Sequence, residues 1–175
     1  ITINADNTCV NGNIAANGTI VSSGNFNVNG TKTENADEPM IIIFDKIDNQ
    51  YFVDTAVDEH EDNYVLEETN IQVNIPTEVQ GEALLSGNIN ITTAFKALDD
   101  ISLSGDVENT DNSVIFSQYG NIVMDSQNVN LNGLVYAPNG YVDITAQNLN
   151  MNSVVIIADS IVINCPNLNA NYSSN

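Results

Sequence analysis

The densest set of oxygen ligands in the chain is the run Asp58-Glu59-His60-Glu61-Asp62, with Asp54, Glu67 and Glu68 close by in sequence. Hard carboxylate oxygens at this density suit calcium, which takes roughly six to eight oxygen ligands. Asp58, Glu59, Glu61 and Asp62 are therefore the candidate ligands for a calcium ion, and no other cofactor is expected. The run lacks the ordered Asp-x-Asp-x-Asp-Gly spacing of a dedicated calcium loop, so a solvated acidic loop is the competing reading. His60 is the one histidine and reads as an ordinary exposed side chain. A second chemistry open to the chain is glycan binding through aromatic faces, with Tyr51, Phe52, Tyr64, Tyr119 and Tyr136 as the candidates.

Catalytic patterns are not found. The chain has no arginine, and lysine only at positions 32, 46 and 96, whereas cleavage of acidic polysaccharides on β-helical scaffolds uses a cation and commonly an arginine or lysine base. Hydrolysis of a glycoside needs two carboxylates facing each other across a cleft. Asp99 and Asp100 are adjacent, and neighbours on a strand point to opposite faces; Asp125 and Asp143 lie on one side but out of register. No Ser/His/Asp order, phosphate loop or redox motif occurs. The expectation is a protein that is not an enzyme.

With 23 acidic and 3 basic side chains and a net charge of −20, the chain has no electrostatic footprint for nucleic acid or anionic lipid. Its longest apolar stretch, Met40 to Phe44, is far shorter than the roughly 20 residues that cross a bilayer, so membrane insertion is not expected. The chain starts at Ile1 already inside an alternating pattern and reads as a piece of a longer polypeptide. Cys9 and Cys165 have no zinc-ligand spacing and are expected to be free thiols set several turns apart.

The elements that position these residues announce themselves as a repeat. Residues 114–133 (VIFSQYGNIVMDSQNVNLNG) superpose on 134–153 (LVYAPNGYVDITAQNLNMNS) and on 154–173 (VVIIADSIVINCPNLNANYS). Residues 1–12 and 13–30 give further copies, and 88–106 a weaker one. A period near 20 marks a solenoid whose units bury their apolar faces only against one another. Strands are predicted at Leu134 to Tyr136, Tyr141 to Ile144 and Asn148 to Met151, with corners at 138–140 and 146–147. Three sides per turn give a triangular cross-section.

Alternation then separates inside from outside. Val129, Leu149 and Leu168 form one inward stack, and Leu131, Met151 and Ala170 the next. Asn128, Asn130 and Asn132 face out with their copies in the following turns, as asparagine ladders. The 30 asparagines include five Asn-Gly pairs, at 11–12, 17–18, 29–30, 132–133 and 139–140, which suit corners of positive φ. The fold expected is all-β: a single-stranded parallel β-helix, right-handed, with 18–20 residues per turn and about six turns.

The chain is expected to be one solenoid domain over 1–175, made of N-terminal rungs at 1–30, an acidic insertion at 31–80 docked on a flank, and C-terminal rungs at 81–175. Within the insertion, 40–47 and 51–53 read as a strand pair around Asp48-Asn49, and 64–69 as a short helix.

The strings GLVYAPNGYVDITAQNLNMNSVVIIADSIVINCPNLNANYS and YVLEETNIQVNIPTEVQGEALLSGNINI resemble a β-solenoid module of very large secreted or wall-associated surface proteins of Firmicutes. The triangular solenoid is also similar in shape to bactofilins, polymer-forming cytoskeletal proteins. The resemblance implies a noncatalytic, extracellular or cell-wall-associated structural or adhesive segment, part of a larger surface polypeptide. Two alternatives stand beside it: a glycan- or calcium-dependent binding module with its site near the insertion, and end-to-end self-assembly with neighbouring copies.

Overall fold

The computed structural model describes residues 1–35, 58–110 and 112–171. These residues form strands and turns without a helix. The strands are β1 (Thr2–Asn11), β2 (Ile14–Ala15), β3 (Val21–Val28), β4 (Lys32–Thr33), β5 (Asp58–His60), β6 (Tyr64–Val73), β7 (Thr77–Val79) and β8 (Ala83–Ile91). They continue as β9 (Ala94–Ala97), β10 (Ile101–Ser104), β11 (Val107–Asn109), β12 (Val114–Ser117), β13 (Ile122–Leu131), β14 (Leu134–Asn152), β15 (Val155–Asn164) and β16 (Asn167–Asn171). Every pairing between them is parallel.

The strands stack on three faces, so each turn is a triangular rung, and together they make a β-solenoid of about eight turns. The first face carries β5, β7, β9, β12, the start of β14 and the start of β15. The second carries the starts of β6 and β8, then β10, the start of β13, the middle of β14 and the end of β15. The third carries the ends of β6 and β8, then β11, the ends of β13 and β14, and β16. The three strands predicted inside β14 pair as separate runs, 134–137, 141–145 and 148–152.

Order along the axis is not order along the chain. Six levels climb from Asp58 to Asn171, and the next level is the N-terminal β1: Thr2, Ile3 and Asn4 sit on Val162, Ile163 and Asn164, and Asn7 to Asn11 on Asn167 to Asn171. β3 then stacks on β1 as level eight. The expected N-terminal rungs therefore exist, but they lie beyond the C-terminal ones. This also corrects the cysteine spacing. Both thiols are free, yet Cys9 is on level seven and Cys165 on level six, in different columns, with Cys9 opposite Asn169.

Two further expectations change. Residues 58–79 are rungs in the sheet rather than part of an insertion, which lifts the count from about six turns to about eight. The helix expected at 64–69 is strand β6: Tyr64 and Leu66 point inward over Ala83 and Leu85, a period of two that the outward Val65, Glu67 and Glu68 conceal in a hydropathy count. The strand pair expected at 40–47 and 51–53 lies outside the described residues.

Of the five Asn-Gly corners, Gly12 and Gly133 have positive φ. At Gly140 the requirement is room instead, because a Cβ there would lie 2.2 Å from the carbonyl oxygen of Gly120 one level away.

Inward residues form axial columns. On the second face Leu66, Leu85, Leu103, Met124, Ile144, Ile163 and Ile3 succeed one another. On the third face the columns are Ile71, Ile89, Val107, Val129, Leu149, Leu168, Thr8 and, beside it, Val73, Ile91, Asn109 and then Leu131, Met151, Ala170, Val10. Leu149, Val129, Leu131, Met124 and Ile144 are fully buried, each worth about 1.5–3 kcal/mol of apolar transfer. A slip of one residue would turn a column to solvent, which fixes the register.

Candidate functional site: an amide face

The third face alternates apolar residues inward with amides outward. Its outermost column reads Asn70, Asn88, Asp106, Asn128, Asn148, Asn167, Asn7 and Asn25 over eight levels. Parallel strands about 4.8 Å apart place identical side chains directly over one another, at a spacing an amide can bridge. Asn148 Nδ2 donates to Asn128 Oδ1 at 3.0 Å, Asn167 Nδ2 to Asn148 Oδ1 at 3.1 Å, Asn25 Nδ2 to Asn7 Oδ1 at 3.2 Å and Asn88 Nδ2 to Asn70 Oδ1 at 3.3 Å. Where the column has an acid, Asn128 Nδ2 donates to both carboxylate oxygens of Asp106.

A second column runs Gln72, Asn90, Glu108, Asn130, Asn150, Asn169, Cys9 and Asn27. Asn150 Nδ2 donates to Asn130 Oδ1 at 3.0 Å. At the far edge Asn11 Nδ2 donates to Asn171 Oδ1 at 2.7 Å, and Asn29 Nδ2 to Asn11 Oδ1 at 2.8 Å. Asn128 and Asn148 each donate to the level below and accept from the level above, which leaves a second N–H and a second lone pair on each to meet a ligand. In the two columns only Asp106 and Glu108 carry charge.

A shallow depression of about 630 Å³ lies over this face against Asn7, Asn25, Asn128, Asn148 and Asn167. Beside it, a groove of about 760 Å³ follows the corner between the second and third faces, where Asp125, Gln127, Gln147, Cys165 and Asp6 succeed one another from level four to level seven. Burial pushes the Cys165 thiol above its ordinary pKa, which keeps it protonated and a poor nucleophile. The groove offers amide, hydroxyl and carboxylate groups to a chain lying along the axis.

The other sequence candidates disperse. Asp58, Glu59 and His60 lie on β5, with Asp58 Oδ2 3.4 Å from His60 Nε2, and Glu61 and Asp62 occupy the turn after it. Among the described residues no group of three or more acidic, histidine or cysteine side chains converges as a metal site. Tyr64 stacks on His60 with ring centroids 3.9 Å apart. Its phenol pKa is raised by burial, then by the Asp58 and Glu68 charges. Tyr136 stacks on Phe116 at 5.0 Å on the outward side of the first face. Tyr119 stands 63% exposed at a corner, while Tyr51 and Phe52 lie outside the described residues. The described tyrosines therefore fall on separate faces, not on one platform. Asp125 and Asp143 are two residues apart in register, since Asp125 opposes Thr145.

Sequence reasoning missed Asn109. It is fully buried in the second inward column of the third face. Its Nδ2 donates to Ser113 Oγ at 2.8 Å and to the Asn132 carbonyl, and its Oδ1 accepts the Asn132 N–H at 2.8 Å. The signal was there: at this corner the chain takes residues 110–113 to reach β12, where 132–133 suffice one level on, and the longer corner brings backbone polar groups inward.

Comparison with models of known protein families, with curated proteins and with solved structures finds no match to this chain.

Proposed function

We propose that the chain is a noncatalytic structural and adhesive segment of a larger bacterial surface protein, outside the cell or on its wall, with the amide face as its contact surface for neutral polysaccharide. The observation that carries this reading is the pair of outward columns, eight levels long, in which amides predominate and Asn128, Asn148 and Asn167 are held in place by one another. Such a surface is pre-organised, so a polymer binding it orders few side chains. Its period is close to the length of one pyranose unit in an extended glycan. The likeness of residues 133–173 and 64–91 to the Firmicutes surface module supports the setting.

The test is retention on a panel of immobilised cell-wall and matrix polysaccharides, comparing the natural chain with the triple variant Asn130→Asp, Asn150→Asp, Asn169→Asp. The three carboxylates have no N–H to donate to sugar oxygens and repel one another along the column, so retention is compared after circular dichroism shows the variant folded like the natural chain. The expected result is retention on at least one neutral polymer and at least tenfold weaker retention of the variant. Passage of the natural chain through every matrix would end the adhesive reading.

A second reading, end-to-end association, is favoured by the outermost strands. Among the described residues β6 pairs only with β8, and β3 only with β1, and a strand edge without a partner can template another strand. Sedimentation velocity over a hundredfold concentration range should show growing species, and a constant monomer mass would remove this reading.

A further inference from the structure

Five asparagines precede a glycine, the neighbour whose peptide nitrogen is least shielded because it has no Cβ beside it. In four of these pairs the side-chain amide is held. Asn11 Nδ2 donates to Asn171 Oδ1 at 2.7 Å while its Oδ1 accepts from Asn29 Nδ2 at 2.8 Å, and Asn29 Oδ1 accepts from Asn27 Nδ2 at 3.1 Å. Asn132 Nδ2 donates to the Asn109 carbonyl at 2.8 Å, and Asn139 Nδ2 to the Gln118 carbonyl at 2.7 Å. Asn17 differs. It is exposed on the corner between β2 and β3, and its side chain has no hydrogen bond among the described residues.

The glycines divide in the same way. Gly12 and Gly133 take φ of 143° and 72°, and a Cβ on Gly30 or Gly140 would lie 2.1 or 2.2 Å from the carbonyl oxygen of Gly12 or Gly120. Those four positions need glycine to fold. Around Gly18 nothing lies within 4 Å of the place a Cβ would take, and its φ is outside the left-handed range. Its carbonyl accepts the Asn35 N–H at 2.9 Å, while its own N–H has no partner among the described residues. Neither packing nor conformation calls for glycine at 18, and the open corner lets the Asn17 side chain swing onto the Gly18 nitrogen.

We propose that Asn17-Gly18 is a self-modification site, at which the chain deamidates through a succinimide. Base from solvent removes the Gly18 peptide proton and the nitrogen attacks Asn17 Cγ. A five-membered ring closes as the Cγ–Nδ2 bond breaks, and the amide nitrogen, protonated by water, leaves as ammonia. Water then adds to either ring carbonyl. Opening at Cγ gives aspartate; opening at the α-carbonyl gives isoaspartate, with the backbone running through Cβ and Cγ. The sum is amide plus water to carboxylic acid plus ammonia, with no oxidant or reductant. At the four held asparagines the same attack must first break the hydrogen bonds of the amide. The product at 17 carries an added negative charge, and isoaspartate lengthens the backbone by one carbon beside the bond from Asn35 to Gly18.

The test incubates the full natural chain at pH 8, folded in buffer and unfolded in urea, in water enriched in heavy oxygen. Peptide mass spectrometry follows each Asn-Gly pair, and isoaspartyl methyltransferase counts isoaspartate. In the folded chain Asn17 should convert at least tenfold faster than Asn11, Asn29, Asn132 or Asn139, taking up one heavy oxygen per event and yielding isoaspartate. In urea the five rates should converge, since all five pairs share the same dipeptide. Gly18→Ala, which the space around Gly18 admits, should slow conversion at Asn17 at least tenfold without lowering the urea midpoint. A folded rate at Asn17 no faster than at the held asparagines overturns the proposal. Aspartate without isoaspartate at 17 does so as well, because direct hydrolysis then replaces the ring. An unfolded chain that keeps the folded ranking also overturns it, since the selectivity then belongs to flanking sequence and not to the corner.

Discussion

Replacing Asn109 tests whether the buried corner between levels three and four is held by its amide. The side chain donates to Ser113 Oγ and the Asn132 carbonyl and accepts from Asn132 N–H. Ser113 Oγ still has its own bond to the Thr110 carbonyl at 2.7 Å, so its loss is small. Asn109→Ala leaves the Asn132 N–H without this acceptor and its carbonyl short of one donor. A buried orphaned group costs about 1–3 kcal/mol, which puts the variant about 2–4 kcal/mol below the natural chain. Asn109→Asp retains the acceptor but aims carboxylate oxygen at the Asn132 carbonyl and Ser113 Oγ, in a site with no cation among the described residues. Its carboxyl is then easier to protonate folded than unfolded, so the folded pKa is raised. The penalty is absent below the unfolded value of about 3.9 and grows as pH rises from there through the folded pKa. Urea titrations by circular dichroism at pH 7 and pH 4 measure both. The aspartate variant should lose at least about 3 kcal/mol at pH 7 and recover part of that at pH 4, each relative to the natural chain at the same pH. Equal midpoints for all three proteins at pH 7 would refute the argument.

Leu149→Ala removes a fully buried side chain stacked between Val129 and Leu168 and should cost about 3–5 kcal/mol in the same assay. With a chromogenic disulfide at pH 8, Cys9 should react within minutes, while Cys165, buried and with a raised pKa, should react only on unfolding; equal rates for the two thiols would contradict the placement. Tyr64 has a raised phenol pKa, so folding disfavours its ionised form. It contributes nothing to pH dependence well below pH 10 and lowers stability as pH rises through the unfolded value of about 10. Tyrosinate absorbance should show one late-titrating phenol that Tyr64→Phe removes.

The architecture was legible because each level carries strict alternation, and the copies at 114–173 are similar enough to superpose. Stacking order was not, because self-similarity identifies units without saying which unit lies on which. Level one, around Tyr64 to Val73, was read as part of the insertion because the outward Val65, Glu67 and Glu68 mask the alternation of Tyr64 and Leu66, although Asn70 and Gln72 already stand in the outward amide columns. The amide face was read correctly at Asn128, Asn148 and Asn167, and the structure continues it through Asn88 and Asn70 on one side and Asn7 and Asn25 on the other. Asn109 resembles a ladder residue in type but sits one position out of phase, which only the pairing with Ile91 reveals.

The bond from Asn4 to Asn164 joins residues 160 apart in sequence. Synthesis delivers β1 first, yet the strands it stacks on, β15 and β16, follow about 160 residues later. Most of the coil can zip up from local contacts, but its closing step has a high contact order and must pay the entropy of the largest loop in the molecule. A nascent chain thus carries β1 with one edge unpaired until β15 and β16 have been made, a period in which a chaperone or a neighbouring nascent chain has the opportunity to engage it.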